Sequence, residues 1–270
     1  MIHLFIPDTQ SRPGTPDDHL RWIGKFIVEK KPDVVIHAGD HWDCPSLSSF
    51  DKKGSKSMEG RRYEADIEKG NADFALLTEP IVKHNKRHRL HPYEPRLVLL
   101  RGNHEYRIIR AVEDNPQLDG VIGYHHLLSP GWETHDFLKP VWIDGVAYCH
   151  YFANPMTGKP YGGMVRTRLN TIGHSFTQGH TQTLDMANRP VLGPTGPRLQ
   201  YGLVAGACYL HDEDYKGYQG NAHWRGIVVK HEVRDGAYDI MPVSLDYLCR
   251  RFEGVPLTDF MAETYPDITN

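Results

Sequence analysis

With 270 residues the chain can bury roughly three-quarters of its unfolded surface, so one large domain over 1–270 is expected and no covalent staple is needed. A formal net charge of −3, with 24% charged and 39% hydrophobic residues, excludes a disordered chain and a uniformly basic nucleic-acid coat. No apolar run approaches about 18 residues, the opening MIHLFIPDTQ lacks a secretory leader's features, and the four cysteines form no C-x-x-C pair, so a cytoplasmic protein without membrane contact is expected.

In chain order, Ile2–Pro7 reads as a buried strand that delivers Asp8 at its C-terminal end. Thr15-Pro16-Asp17-Asp18 predicts an N-cap, a proline at the first helical position and acids in the first turn. Leu20, Ile23, Phe26 and Ile27 follow at helical spacing, and Lys30-Lys31-Pro32 closes that helix. Asp33–Ala38 is the next strand, ending in Gly39-Asp40, so the segment is a βαβ unit with a parallel strand pair. Polar Asp51–Gly60 predicts a mobile loop. A helix from about residue 61 carries Tyr63, Ile67, Phe74 and Leu77 on one face and is expected to stop before Pro80. The basic stretch Lys83–Arg96 reads as a solvated helix end and loop, with a nucleic-acid track as the less favoured alternative. Arg96–Arg101 is a third strand, running into Gly102-Asn103-His104-Glu105.

After about residue 140 the pattern turns to β. Val141–Ile143 and Val146–Cys149 flank Asp144-Gly145, a hairpin signal. Ser175–Gly179, Gln200–Ala205, Gly226–Val233 and Ala237–Val243 are further strands. Helices early and strands late predict an α/β fold of two sheets packed as a sandwich and flanked by helices.

Five loops that follow expected strands carry metal-type ligands: Asp8-Thr9-Gln10, Asp40-His41-Trp42-Asp43, Asn103-His104, His150 and Gly179-His180-Thr181-Gln182. Ligands of open α/β sheets gather at the carboxyl ends of strands, so these loops are expected to converge. Any one of them alone reads as a turn residue or a structural histidine; the ordered set carries the argument.

That order resembles the calcineurin-like metallophosphoesterase superfamily. Asp8-x-Gln10 stands for its D-x-H, Gly39–Asp43 for GDxxD, Gly102–Glu105 for GNH[ED], His150 for a strand-ending histidine, and Gly179–Gln182 for GHTx. The resemblance implies an αββα sandwich of two mixed sheets holding two divalent ions, Mn²⁺ foremost, with Mg²⁺, Zn²⁺ or Fe as other occupants. Asp40 would bridge both ions; Asp8, Gln10 and Gln182 would complete the first, and Asn103, His150 and His180 the second. His104 would serve the leaving-group oxygen as general acid or charge stabiliser, with Asp43 fixing its tautomer. Gln10 and Gln182 replace the usual histidines, and both belong to the first ion. Carboxamide oxygens are harder and weaker ligands than imidazole, so that site is expected to prefer Mn²⁺ or Mg²⁺, or to bind its ion loosely.

Cys44-Pro45 follows Asp43 where protein phosphatases of the superfamily carry Arg-Gly, which argues against a phosphoprotein substrate. Ser46–Asp51, Arg107 and Gly173-His174-Ser175 resemble the bacteriophage and prophage branch, implying a bacterial or phage-infected host cytosol. The expected function is metal-dependent hydrolysis of a phosphodiester or nucleotide-type phosphoester. The alternatives are a DNA nuclease resembling the SbcD type and a non-catalytic binding scaffold with a degenerate first metal site. No protein partner is evident.

Weaker candidates for substrate contact are Arg107, His41 and His174. For His41 packing is the favoured reading, and His174 is open to an outer hydrogen-bonding role or a plain turn. Arg12, Arg101, Arg166 and Arg168 are further guanidinium candidates for phosphate. Gly158–Gly163 lacks the pattern of a P-loop. Tyr209–His223 reads as a lid over the site or an ordered surface loop.

Overall fold

The computed structural model describes residues 1–49, 54–193, 196–213 and 216–267. Parts of the expected loop 51–60, of the phage-like string 46–51 and of the segment 209–223 lie outside the described residues. In chain order the strands and α-helices are β1 (His3–Ile6), α1 (Asp18–Lys30), β2 (Val34–His37), α2 (Tyr63–Arg87), β3 (Arg96–Leu100), α3 (Tyr106–Asp114), β4 (Glu133–His135), β5 (Val141–Ile143), β6 (Val146–Tyr148), α4 (Val165–Ile172), β7 (Phe176–Gln178), β8 (Leu184–Gly193), β9 (Gly196–Ala205), α5 (Gly217–Asn221), β10 (Gly226–Arg234), β11 (Ala237–Ser244), α6 (Leu245–Glu253) and α7 (Leu257–Thr264).

The strands form two mixed sheets, ordered β11-β10-β1-β2-β3-β4 and β5-β6-β7-β9-β8. In the first, β1 to β4 run parallel and β10 and β11 are antiparallel additions. In the second, β6, β7 and β9 are parallel and both edge strands antiparallel. Period-two alternation assigns each side chain to a layer. Leu4 and Ile6 of β1, with Val35, Leu99, Ile227 and Val229, face α1, α2 and α6. Phe5, Ile36, Val98, Leu100 and Val228 face the other sheet's Val146, Tyr148, Leu203 and Ala205. Ala147, Phe176 and Val204 point outward to Val165 and Leu169 of α4. The result is the expected αββα sandwich. Among the described residues, no helix is long and apolar enough to cross a membrane.

Three expectations are corrected. First, α1 starts at Asp18, later than the Thr15-Pro16 reading, because the Thr15 hydroxyl donates to the Arg12 carbonyl at 2.8 Å instead of capping the helix. Second, α2 continues through Pro80 to Arg87. Helix α1 supports it there: a Cβ on Gly24 would lie 2.4 Å from the Leu77 carbonyl oxygen and 2.8 Å from the Pro80 ring, so only glycine allows this approach. Third, the strand-rich reading of the second half omits β8, α6 and α7. Pro190 speaks against a strand, yet β8 lies at the edge of its sheet, where a missing N–H is tolerated.

Candidate metal centre

Parallel strands β1, β2 and β3 of one sheet, and β6 and β7 of the other, lead at their C-terminal ends into Asp8, Asp40, Asn103, His150 and His180. The sheets are tied together at this edge. The His180 N–H donates to both carboxylate oxygens of Asp8 at 3.0 and 3.1 Å, and His150 Nδ1–H donates to the Ala38 carbonyl at 2.9 Å.

That second bond commits one nitrogen of His150 and turns the lone pair of Nε2 inward. Nε2 lies 3.3 Å from Asp40 Oδ2 and 2.9 Å from Asn103 Oδ1. Three acceptor atoms facing one another repel unless a positive charge sits among them. Ligand atoms of Asp40, His150 and His180 all lie within 4.8 Å of one another. Gln10, whose backbone N–H donates to the Asp40 carbonyl at 2.9 Å, is buried, and its Oε1 has no hydrogen-bond partner among the described residues. An orphaned buried oxygen next to clustered carboxylate and imidazole is the donor chemistry a divalent cation satisfies. The residues present therefore fit the metal that the sequence motifs imply.

The titration behaviour agrees. Burial opposes ionisation of Asp40, but His104 and His150 outweigh it and hold the carboxyl well below its usual range. Asp8 is raised, by burial and by the nearby Asp40 charge. Burial disfavours a charged His150, yet Asp40 and Asp8 lift its pKa to about 9, whereas burial and the neighbouring His150 push His180 down to about 4. The centre thus draws in positive charge, and in the free protein His150 answers by taking a proton.

The loops are held in costly backbone. Gln10, Asp40, His180 and Gln182 have φ of 42°, 50°, 65° and 57°, left-handed values that cost a non-glycine residue about 1 kcal/mol or more each. Glu105, the last residue of GNHE, holds two of these loops. Its buried carboxylate accepts N–H groups from Gly102 at 2.7 Å, Asp40 at 3.0 Å, His41 at 2.7 Å and Trp42 at 3.1 Å. Gly102 and Gly179 are required by close approach: a Cβ would lie 2.1 Å from Asp40 Oδ1 in one case and 2.2 Å from Asp8 Oδ1 in the other. Sequence reasoning quoted Glu105 within its motif but did not see this role, since nothing local links residue 105 to residues 40–42.

His104 sits beside the cluster. Its Nδ1 is 2.5 Å from Asp43 Oδ1, and its Nε2 lies 3.7 Å from Asp40 Oδ2 and 3.1 Å from Arg107 Nη2. Burial works against a charged His104, and Arg107 with it, but Asp40 and Asp43 prevail and raise its pKa. Burial likewise opposes the Asp43 carboxylate, and His104, Arg107 and Arg12 together hold it low. Arg12 bridges Asp43 at 3.1 Å and Glu213 at 2.8 Å, and its side chain is 22% exposed.

The weaker candidates separate clearly. Arg107 is buried and gives Nη1 to the Asp43 carbonyl at 2.7 Å and the Cys44 carbonyl at 3.4 Å, so it fastens the 43–44 turn and is not presented to substrate. His41 is fully buried, bonded to Thr9 Oγ1 at 2.7 Å and the Gly70 carbonyl at 2.9 Å and packed on Trp42 and Phe74; it belongs to the α2 interface. His174 precedes β7 while His180 follows it, so they lie at opposite ends of that strand; the His174 ring lies against Trp142. Arg101 pairs with Asp136 at 2.6 Å and lies over the Tyr124 ring. Arg168 donates to the Gly163 carbonyl at 2.9 Å and to Thr181 Oγ1 at 3.3 Å, next to His180. Gln182 Oε1 accepts the Tyr209 hydroxyl at 2.9 Å, a contact from the 209–223 segment that sequence spacing does not reveal.

A sandwich of two mixed sheets with a cation-seeking cluster at its strand ends defines a metallophosphoesterase-type fold. The chain belongs to the calcineurin-like phosphoesterase family, whose model matches residues 2–192. Its relatives include the Gene 54 protein of Mycobacterium phage D29, 28% identical over 193 residues, 65% of this chain and 69% of that protein. The Gene 54 protein of Mycobacterium phage L5 is 26% identical over the same length and shares. These phage relatives agree with the branch that Ser46–Asp51 and Arg107 resemble. Family membership implies divalent metal and, in general, hydrolysis of phosphoesters.

Proposed function

We propose that the protein hydrolyses a phosphodiester or nucleotide-type phosphoester at a centre of two divalent cations. The observation that carries this reading is the convergence of Asp40 Oδ2, His150 Nε2 and Asn103 Oδ1 beside a carboxylate-held imidazole. Asn103, His150 and His180 would hold one cation and Asp8, Gln10 and Gln182 the other, with Asp40 shared and Mn²⁺ as the expected ion. When bound, such a pair would neutralise phosphate oxygens and acidify a water.

The chain's own residues supply the remaining steps. Asp43 takes the Nδ1–H of His104; Nε2, which accepts from Arg107 Nη2 at 3.1 Å in the neutral ring, would carry the proton for the departing oxygen in the imidazolium form. Asp40 and Asp43 raise the pKa of His104 against burial, which favours that protonated form. Arg107 and Arg12 hold Asp43 in place from two sides. Cys44 stands where an arginine would clamp a phosphomonoester, which favours a diester. All 270 residues act as one domain in this reading.

Turnover of bis-p-nitrophenyl phosphate and of p-nitrophenyl phosphate, with Mn²⁺, with Mg²⁺ and with chelator, tests it. Metal-dependent turnover favouring the diester, abolished by Asp40→Asn, is expected. Wild-type-like turnover in Asp40→Asn would refute the shared-carboxylate centre, and metal binding without turnover of either ester would favour the scaffold.

A further inference from the structure

Helices α1 and α2 pack side by side on the outer face of the first sheet and frame a half-open cleft of about 310 Å³. Arg21 and Lys25, one turn apart on α1, line one wall, and Lys83 and Arg87, one turn apart on α2, line the other. Glu79 is the only acid among the lining residues, and Lys83 pairs with it at 2.8 Å. In a chain whose net charge is −3, this is a segregated basic strip. The imidazoles of His84 and His88 also line the cleft, their centroids 4.3 Å apart, and Val28 and Pro80 add apolar wall.

The cleft stands apart from the metal centre. α2 meets the centre's loops at Gly70, Asn71 and Asp73, where it receives His41, Trp42 and Ser11. Lys83 lies ten residues farther on, about 15 Å along the helix.

We propose that this cleft is a binding site for single-stranded nucleic acid. Guanidinium and ammonium groups on both walls track consecutive phosphates, and the imidazole pair with its apolar surround receives a base. A single strand suits the cleft because a half-open slot with rings admits an unstacked base, which a duplex does not offer. The proposal goes beyond the phosphoesterase reading and does not depend on turnover.

Fluorescence anisotropy of a short labelled single-stranded oligonucleotide, checked intact by denaturing gel after each titration, tests it. The wild-type protein is expected to bind with an affinity that falls steeply with salt. Lys83→Glu with Arg87→Glu should weaken binding at least about tenfold and flatten the log–log salt dependence by roughly 0.7 for each phosphate that is no longer neutralised. His84→Ala with His88→Ala should weaken binding several-fold without changing that slope. All four positions lie near the end of α2, so both variants should keep p-nitrophenyl ester turnover, and the charge reversal, which breaks the Lys83–Glu79 pair, should lower the melting temperature by no more than a few degrees. Unchanged oligonucleotide affinity in the charge-reversed protein would overturn the proposal. So would binding to phosphatidylserine vesicles without binding to the oligonucleotide.

Discussion

His104 Nδ1 lies 2.5 Å from Asp43 Oδ1, and the backbone N–H of the same histidine donates to Asp40 Oδ1 at 2.8 Å. One residue is thus held at both ends by the two carboxylates of the GDxxD loop. Its ring nitrogen Nε2 is aimed at the cluster, yet its contacts are with carboxylates and Arg107. This geometry suits a proton donor beside the metals better than a ligand of either.

Replacing His104 by alanine should therefore lower kcat by roughly 10²–10⁴-fold, with metal content by elemental analysis close to wild type. Loss of metal in that variant would make His104 a ligand. Asp43→Asn should give a smaller loss in the same direction, because the carbonyl of residue 43 still anchors Arg107.

Glu105 should matter for stability as much as for activity. Its carboxylate accepts four backbone N–H groups in a buried site. Each buried donor left unpaired costs about 1–3 kcal/mol, with partial relief where water enters. Glu105→Ala is expected to lower the unfolding free energy by about 3 kcal/mol or more in urea titrations, and Glu105→Gln by roughly half as much. A change under about 1 kcal/mol in the alanine variant would show that the loops find other acceptors.

A chain of hydrogen bonds runs beneath the centre and predicts an acid-side loss of stability. Gly39 N–H donates to His37 Nδ1 at 3.1 Å, His37 Nε2–H to Thr9 Oγ1 at 3.2 Å, the Thr9 hydroxyl to His41 Nδ1 at 2.7 Å, and His41 Nε2–H to the Gly70 carbonyl at 2.9 Å. Both imidazoles must be neutral for that sequence of donors. Burial holds His41 down at about 4, and burial reinforced by His41 holds His37 well below 6.5. Between those values the unfolded chain binds protons that the folded chain does not. Stability should be complete above about pH 6.5 and fall as pH drops towards 4, by an amount on the order of 3 kcal/mol from His41, with His37 acting in the same direction. Urea midpoints compared with those of His41→Asn isolate the effect; parallel pH profiles for the two proteins would remove it.

The paired glutamines predict unequal metal sites. Asp8, Gln10, Asp40 and Gln182 offer oxygen donors alone, and Gln182 Oε1 is already shared with the Tyr209 hydroxyl. Asn103, His150 and His180 include two imidazoles and should bind transition metals more tightly. Calorimetric titration of metal-free protein with Mn²⁺ is expected to show two classes of site. Gln10→His with Gln182→His should narrow the gap and shift the weaker site towards Zn²⁺. Equal, tight occupancy in the unmodified protein would refute the asymmetry.

The local sequence carries the strands, the loops after them and the order of their ligands, because period-two burial and strand-end motifs are written within a few residues of each other. Asp8, Asp40, Asn103, His150 and His180 could be named as a converging set for that reason. Their mutual approach belongs to tertiary structure: only the packing of two sheets brings the Ala38 carbonyl to His150 Nδ1 and the His180 N–H to Asp8. The same holds for residues whose local signal points elsewhere. Pro80 signals a helix end, yet Gly24 of α1 braces the helix through it; His41 and Arg107 look like substrate contacts, yet α2 and the 43–44 turn claim their polar atoms. Chain-local preferences of about 1–3 kcal/mol decide which element forms, whereas burial and hydrogen-bond satisfaction across distant segments decide which polar groups face the site, and those partners are set only when the sheets meet.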